Sequence, residues 1–395
     1  MSAAKPVILA LNVGTASFKF ALHADDEALT RILAGAVTTD GGETRLSIDP
    51  GRGEPTVEAK MEGAATEPGR GLPQVFDHLR QLGVTDAITA VGHRIVHGGT
   101  VFVAPIRLDQ QTMDALAALI PLAPAHQPAG LAGVAAVAMA LPSAAQVGCF
   151  DTAFHADQPR LARLYGLPRK LTEQGIIGYG FHGLSYAYIA SVLRQRYGEG
   201  AGGRAIVAHL GSGVSLCALR EGRSVATTMG FSTLDGPPMA TRSGALDPGV
   251  VLHLIQGLGM SVEAVSEMLH QQSGLLGVSG ISGDLRDLLA SDQPAAREAI
   301  DLFVYRVGRE IGSLAAALGG LDTLVFTAGV GENAPAVRAR IAEAGAWLGM
   351  TLDAPRNEAG DFLISADGAR VEVLVVPTDE QRSIAQGVQA WLRRN

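Results

Sequence analysis

The chain has 395 residues, of which 47% are apolar and 18% charged, and it carries a formal net charge of −8 at pH 7. That length predicts two domains, and that composition predicts a packed α/β protein and excludes a disordered one. The acidic balance argues against a nucleic-acid or anionic-membrane surface, and Cys149 and Cys217, each in or beside an apolar run, read as buried thiols of a cytoplasmic protein.

The first strong element is Val7–Leu22, VILALNVGTASFKFAL: an apolar strand, a Gly-centred turn and a second alternating strand. Asn12, Gly14, Thr15, Ser17 and Lys19 crowd that turn, a mixture of close-approach backbone, neutral donors and one cation that suits an anion. Residues 38–71 show no helical period and predict short strands and turns. Pro73–Leu82 places Val75, Phe76, Leu79 and Leu82 on one helical face, with Gly83 as the stop. Ala87–Gly99, AITAVGHRIVHGG, predicts a strand that ends in charged and Gly-rich residues. Asp109–Ile120 predicts a capped helix with Met113, Leu116, Ala117 and Ile120 inward, and the prolines of Pro121–Gly130 predict a loop. The apolar run Leu131–Leu141, bracketed by Pro128 and Pro142, is far short of a membrane span. Ala145–Phe154 predicts a strand ending at Asp151, and GYGFHGLS, Gly178–Ser185, leads into a helix through Ile189, Val192 and Leu193.

At Ala205 the opening pattern returns as AIVAHLGSGVSLCAL, now with His209, Gly211, Ser212, Gly213 and Ser215 around the turn. One such hairpin would be ordinary. Two, each opening about half of the chain, predict a duplicated phosphate-gripping fold. Neither copy is a G-x-x-x-x-G-K-[ST] loop or a strand-borne G-x-G-x-x-G turn. Beyond it lie a long loop, Gly230–Gly249, helices from Pro248 and Ser261, and a long helix over Asp292–Leu318 with Ile300, Phe303, Val304, Val307, Ile311 and Leu314 on one stripe. Thr323–Thr327 predicts a buried strand running into AGVGEN, Ala328–Asn333, and Pro335 starts the next helix. Val371–Val376 feeds PTDEQR into a last helix that buries Ile384, Val388 and Trp391. Strands alternating with helices place the chain in the α/β class.

Several polar residues fall where an apolar strand meets a Gly-rich loop: Arg94, Asp151, His182, Arg242 and Glu380. Two arginines, a histidine and two acids beside phosphate-type loops suit phosphoryl transfer, which needs cationic clamping and a divalent metal. His93 and His97 are four apart, but no Glu follows the first and the segment reads as a strand, against a zinc site. No G-x-S-x-G elbow is present, against a serine nucleophile.

At these residues the sequence resembles the acetate kinase family, a short-chain acyl kinase branch of the actin-like and sugar-kinase superfamily. The carriers are LNVGTASFKF, GHRIVHGG, LAPAHQP, FDTAFH, YGFHGLS, HLGSGVSL, MATRSGALDP, FTAGVGEN and PTDEQ, in order from Val7 to about Gln386. The resemblance implies a two-domain actin-like ATPase fold (ribonuclease H-like, duplicated) with a central cleft. Residues 1–151 with about 379–395 would form one domain, and 152–378 the other, bearing the nucleotide site and a dimer surface. It implies Mg²⁺- or Mn²⁺-dependent phosphoryl transfer from ATP to acetate, propionate or another short carboxylate by a homodimer. Asn12, Thr15, Ser17 and Lys19 are then expected near phosphates and metal, Arg94 and Arg242 on the carboxylate and moving phosphoryl group, and His182 as a donor to it. Asp151 and Glu380 are expected to serve the metal, with Asn12. His209, Gly211, Ser212 and Gly213 would line the second phosphate loop, Asp284 and Arg286 the adenine and ribose, and Gly329, Gly331 and Asn333 the adenosine floor. Val96, Ala125, Phe181 and Thr233 would wall the acyl pocket. The chain departs from the family's usual residues at Ala125 and Gln127, at Thr233 for Pro, at Ser212 for Asn, at Tyr186 for His, and at Ala240 and Ala245.

Overall fold

The computed structural model describes residues 6–13, 17–40, 43–51, 56–61, 72–124 and 126–395, so Gly14, Thr15, Ala125 and the side chain of Ser17 lie outside the described residues. The chain divides into two compact units. The first joins Met1–Ala156, Gly183–Tyr188 and Asp379–Asn395; the second joins Asp157–His182 and Ile189–Thr378.

Among the described residues, the first unit holds strands β1 (Val7–Val13), β2 (Ser17–Ala24), β3 (Arg31–Asp40), β4 (Glu43–Asp49), β5 (Val57–Met61), β6 (Ile88–Ile95), β7 (Ile106–Arg107) and β8 (Ala145–Phe150). They form one sheet in the order β5-β4-β3-β2-β1-β6-β8-β7. β1 pairs antiparallel with β2 and parallel with β6, which is in turn parallel to β8. β1 reads as a continuous apolar run because both of its faces are covered. Leu9, Leu11 and Val13 join Phe18, Phe20 and Leu22 in a core with Val75, Phe76 and Leu79 of helix Leu72–Gln81. Ile8 and Ala10 face the other way, into a core with Ile384, Ala385 and Val388 of the last helix, Glu380–Leu392. The period of two therefore leaves Asn12 at the end of the Ile8–Ala10 row, toward that helix.

The second unit holds β9 (Arg204–Leu210), β10 (Val214–Arg220), β11 (Arg223–Thr227), β12 (Thr323–Thr327) and β13 (Glu372–Val375), ordered β11-β10-β9-β12-β13. Orders and directions match β3-β2-β1-β6-β8 strand for strand: an antiparallel meander first, then two parallel additions. The long helix starts at Pro294 and runs to Leu318, and the whole predicted stripe from Ile300 to Leu314 is buried.

Some local expectations are corrected. Leu82 is 49% exposed, because the helix ends at Gln81. Asp109 does cap its helix, accepting from the Thr112 N–H, but the helix stops at Ala117, which is exposed, and Ile120 opens a separate 3₁₀ turn. Pro121–Gly130 is not all loop: helix Gln127–Ala140 begins inside it, with Pro128 in the first turn, where a missing N–H costs nothing. The strand Arg31–Asp40 falls largely before the stretch expected to hold short strands.

Candidate active site

In the first unit, Asn12, Arg94, Asp151 and Glu380 converge from three strand ends and a helix start. Arg94 comes from the end of β6 and Asp151 directly follows β8, its parallel neighbour, so the two side chains meet across one strand spacing. Arg94 Nε donates to both Asp151 oxygens at 3.1 and 3.0 Å, and Nη2 donates to Oδ2 at 2.6 Å. Nη1 donates to Asn12 Oδ1 at 3.0 Å, and Asn12 Nδ2 donates to Glu380 Oε2. The Asp151 side chain is 1% exposed and that of Arg94 19%. Burial works against the Arg94 charge, but Asp151 and Glu380 outweigh it and raise the guanidinium pKa above its ordinary value. These bonds use one hydrogen on each terminal nitrogen of Arg94 and leave the second for another oxyanion. Glu380 opens the last helix, where a carboxylate is favoured by the helix dipole, and Asp379 caps it through the Arg382 N–H.

The second unit carries a different cluster on the matching strands. His209 is the penultimate residue of β9, as Asn12 is of β1, and pairs with Ser215 as Asn12 pairs with Lys19. His182 precedes helix Gly183–Tyr197 at φ +57°, a left-handed conformation rare for a residue with a side chain. Its Nδ1 lies 2.8 Å from Ser215 Oγ, and its ring stacks on His209 with centroids 4.2 Å apart. Arg242 Nη1 donates to the Thr233 carbonyl at 2.8 Å. A Cβ placed on Gly213 would fall 2.7 Å from Arg242 Nη2 and 3.2 Å from His182 Nε2. Glycine at this turn lets the Arg242 guanidinium and the His182 ring approach the backbone closely. The Ala240 N–H reaches the Ser212 carbonyl at 3.4 Å, tying the long arginine loop to that turn.

The remaining expected residues are placed as follows. Lys19 is exposed on the face of β2 that Asn12 shares. Asp284 caps helix Leu285–Leu289 and forms an ion pair with Arg286, whose side chain is 90% exposed. Ala328–Asn333 is one helical turn after β12, with Asn333 Nδ2 donating to the Gly329 carbonyl at 2.9 Å and Gly331 buried. Val96 is buried in the first unit and Phe181 in the second, and Thr233 is half-buried. Gln127 is a buried clamp, accepting from the His97 N–H and donating to the His97 and Leu116 carbonyls. Tyr186 is fully buried against the rings of His155 and Phe154. Cys149 and Cys217 are buried and form no disulfide, and burial pushes both thiols up to about 12. His93 sits beside Gln146 Oε1 at 2.7 Å, and burial lowers its pKa to about 4. Sequence reasoning placed Ser215 at the second turn but did not foresee its bond to His182, and it assigned no role to Glu332.

The acetokinase family profile matches residues 7–386. The chain is 47% identical to an acetate kinase of Rhodopseudomonas palustris, covering 97% of both, and 43% identical to one of Methylocella silvestris, covering 98% of both. Among solved structures it is similar to a propionate kinase of Francisella tularensis (TM-score 0.89, 33% identity, 97% of this chain and 98% of that one). It is likewise similar to the acetate kinase of Porphyromonas gingivalis (TM-score 0.85, 33% identity, 98% of this chain and 100% of that one).

Proposed function

The chain belongs to the acetokinase family, with its duplicated actin-like ATPase fold, and is a phosphotransferase with a carboxyl group as acceptor; we propose that it transfers the terminal phosphoryl group of ATP reversibly to acetate. The observation that carries this reading is the convergence of Arg242 Nη2 and His182 Nε2 on the backbone at Gly213. Phosphoryl transfer spreads negative charge over equatorial oxygens, and donors already fixed around that charge lower the barrier most. Arg242 is held by the Thr233 carbonyl and His182 by Ser215, so neither must reorganise. Arg94, braced by Asp151 and Asn12, keeps donors for a second oxyanion, the carboxylate. Acetate is ionised near neutral pH, so no strong general base is needed.

The family implies a divalent metal. The oxygens of Glu380, Asn12 and Asp151 are hard donors that suit Mg²⁺ rather than a softer ion. Both Asp151 oxygens already accept from Arg94, so Glu380 is the first-choice ligand, with Asn12 beside it and Asp151 acting through water. When bound, the metal neutralises charge on the phosphate oxygens. We assign ATP contacts to Lys19, Thr15, Ser17, His209, Gly211, Ser212, Gly213, Asp284, Arg286 and the Gly329, Gly331 and Asn333 turn, and the acyl wall to Val96, Ala125, Phe181 and Thr233. Residues 1–151 with 379–395 would carry the metal residues, and 152–378 the nucleotide. A cytoplasmic homodimer is our reading of the assembly. Helix Pro248–Gln256, PGVVLHLIQ, is mostly apolar yet buries no residue, with Val250 42% and Leu252 54% exposed, and Leu258 and Val262 follow at 63% each. A second copy of this surface would cover them.

Incubation with ATP, Mg²⁺, acetate and hydroxylamine tests the reaction. Acyl hydroxamate should form with acetate, and ATP hydrolysis without hydroxamate would overturn the reading. Substituting Leu252→Glu should yield monomers in sedimentation; an unchanged dimer would move the interface elsewhere.

A further inference from the structure

Glu332 sits inside the turn Ala328–Asn333, and one of its oxygens serves two backbone donors. Oε1 accepts from the Ala328 N–H at 2.8 Å and from the Thr378 N–H at 3.0 Å. Both amides lie past the end of the strand ladder. Ala328 has φ +66°, a conformation that side-chain-bearing residues seldom adopt, and it stands where β12 has ended and no helical acceptor is yet available. Thr378 follows β13, Val376, whose N–H goes to Phe326, and Pro377, which has no N–H. β12 and β13 are adjacent parallel strands, so the carboxylate adds one side-chain rung just past the point where their ladder stops.

The rung is itself held rigid. The Glu332 carbonyl accepts from Arg338 Nη1 at 2.8 Å, and the same nitrogen donates to the Gly331 carbonyl at 3.0 Å. Arg338 is 1% exposed, and its Nε donates to Asn357 Oδ1 at 2.8 Å.

We propose that Glu332 is a positioning residue, fixing with one carboxylate both the turn that carries Gly329, Gly331 and Asn333 and the backbone two residues before Glu380. The proposal rests on the reading above that this turn contacts the nucleotide and that Glu380 holds the metal. Removing the rung should therefore loosen nucleotide and metal use together while sparing the acyl acceptor.

The test compares Glu332→Ala with Glu332→Gln, whose amide oxygen still accepts two N–H groups. Glu332→Ala should raise the KM for ATP and the half-saturating Mg²⁺ concentration by about tenfold each, the scale of a lost charge-assisted bond, with the KM for acetate unchanged. Glu332→Gln should restore both to within about twofold, because geometry rather than charge is required. Hydrogen exchange should show the Ala328 and Thr378 amides losing protection in Glu332→Ala alone. The proposal is overturned if protection persists, if the acetate KM rises equally, or if Glu332→Gln is as damaging as Glu332→Ala. Glu380→Ala, assayed in parallel, separates the layers. If it raises the Mg²⁺ requirement and Glu332→Ala does not, only the positioning role falls. If Glu380→Ala itself has no effect, the metal reading falls.

Discussion

The two sheets share an order and a set of strand directions, but equivalent positions carry opposite chemistry. At the penultimate rung of the opening hairpin, the first unit has Asn12 and Lys19 and the second has His209 and Ser215. At the ends of the two parallel additions, the first unit has Arg94 and Asp151, whereas the second has Thr327 and Val376. Acids gather in the first cluster, with Glu380 added. The second is built from His182, His209 and Arg242 around glycine. The backbone frame decides where side chains of a site can meet, and a few strand-end residues decide what they do. On the function proposed above, metal and carboxylate work would fall to the first unit and charge stabilisation on the phosphoryl group to the second.

The largest expected effect comes from removing the arginines. Arg94→Ala and Arg242→Ala should each lower kcat by about a hundredfold or more, the scale of one preorganised donor. Arg94→Lys should fail to rescue, because a single ammonium cannot make the forked bond to Asp151 and still reach Asn12. Either alanine variant with near-normal turnover and intact folding would remove that unit's cluster from the reaction.

Acid should separate the units next. Burial lowers His23, His93 and His97, all in the first unit, to about 4, and among the described residues neither ring nitrogen of His23 has a hydrogen-bond partner. The unfolded chain titrates near 6.5 and so binds more protons between those values. Stability from each histidine is present above about pH 6.5 and is lost as pH falls toward 4, by about 3 kcal/mol at full shift. In the second unit, burial raises Asp235 and Glu310, which favours that unit as pH falls. Hydrogen exchange at pH 5 should show β1, β2 and β6 losing protection before β9, β10 and β12. Simultaneous loss would contradict the asymmetry.

The smallest effect concerns the acyl wall. Ala125 stands where the bulkier Leu is usual in the family, and Thr233 brings a hydroxyl where Pro is usual; if both wall the acyl pocket as proposed, propionate should compete well with acetate. Ala125→Leu should lower the propionate-to-acetate ratio of kcat/KM by about fourfold, one methylene of about 0.8 kcal/mol. An unchanged ratio would mean that neighbouring side chains already fill the space.

Much of the frame was legible because it rests on local patterns. The hairpins announce themselves as apolar alternation around Gly, and the buried stripe of the helix Pro294–Leu318 as a 3.6 period. Helix ends were harder. Leu82 and Ala117 continue their periods, yet the backbone has already turned away, and Pro128 hides a helix by occupying the position where proline starts one. For the candidate site, Arg94 and Asp151 stood out as charges at apolar strand ends, but their pairing depends on β6 and β8 being neighbours across 57 residues. Glu332 was invisible for a related reason. Its role lies in bonds to two amides, one of them 46 residues away, and backbone acceptance leaves no mark on residue type at the far end.

The division of labour is tested most directly by titrating Mg²⁺ against turnover in the wild type, Glu380→Ala and Arg242→Ala. Glu380→Ala should need about tenfold more Mg²⁺ for half-maximal rate, the cost of one lost carboxylate ligand, while Arg242→Ala should lose rate at an unchanged Mg²⁺ midpoint. Equal midpoints in all three proteins, or a midpoint shifted as far by Arg242→Ala as by Glu380→Ala, would contradict it.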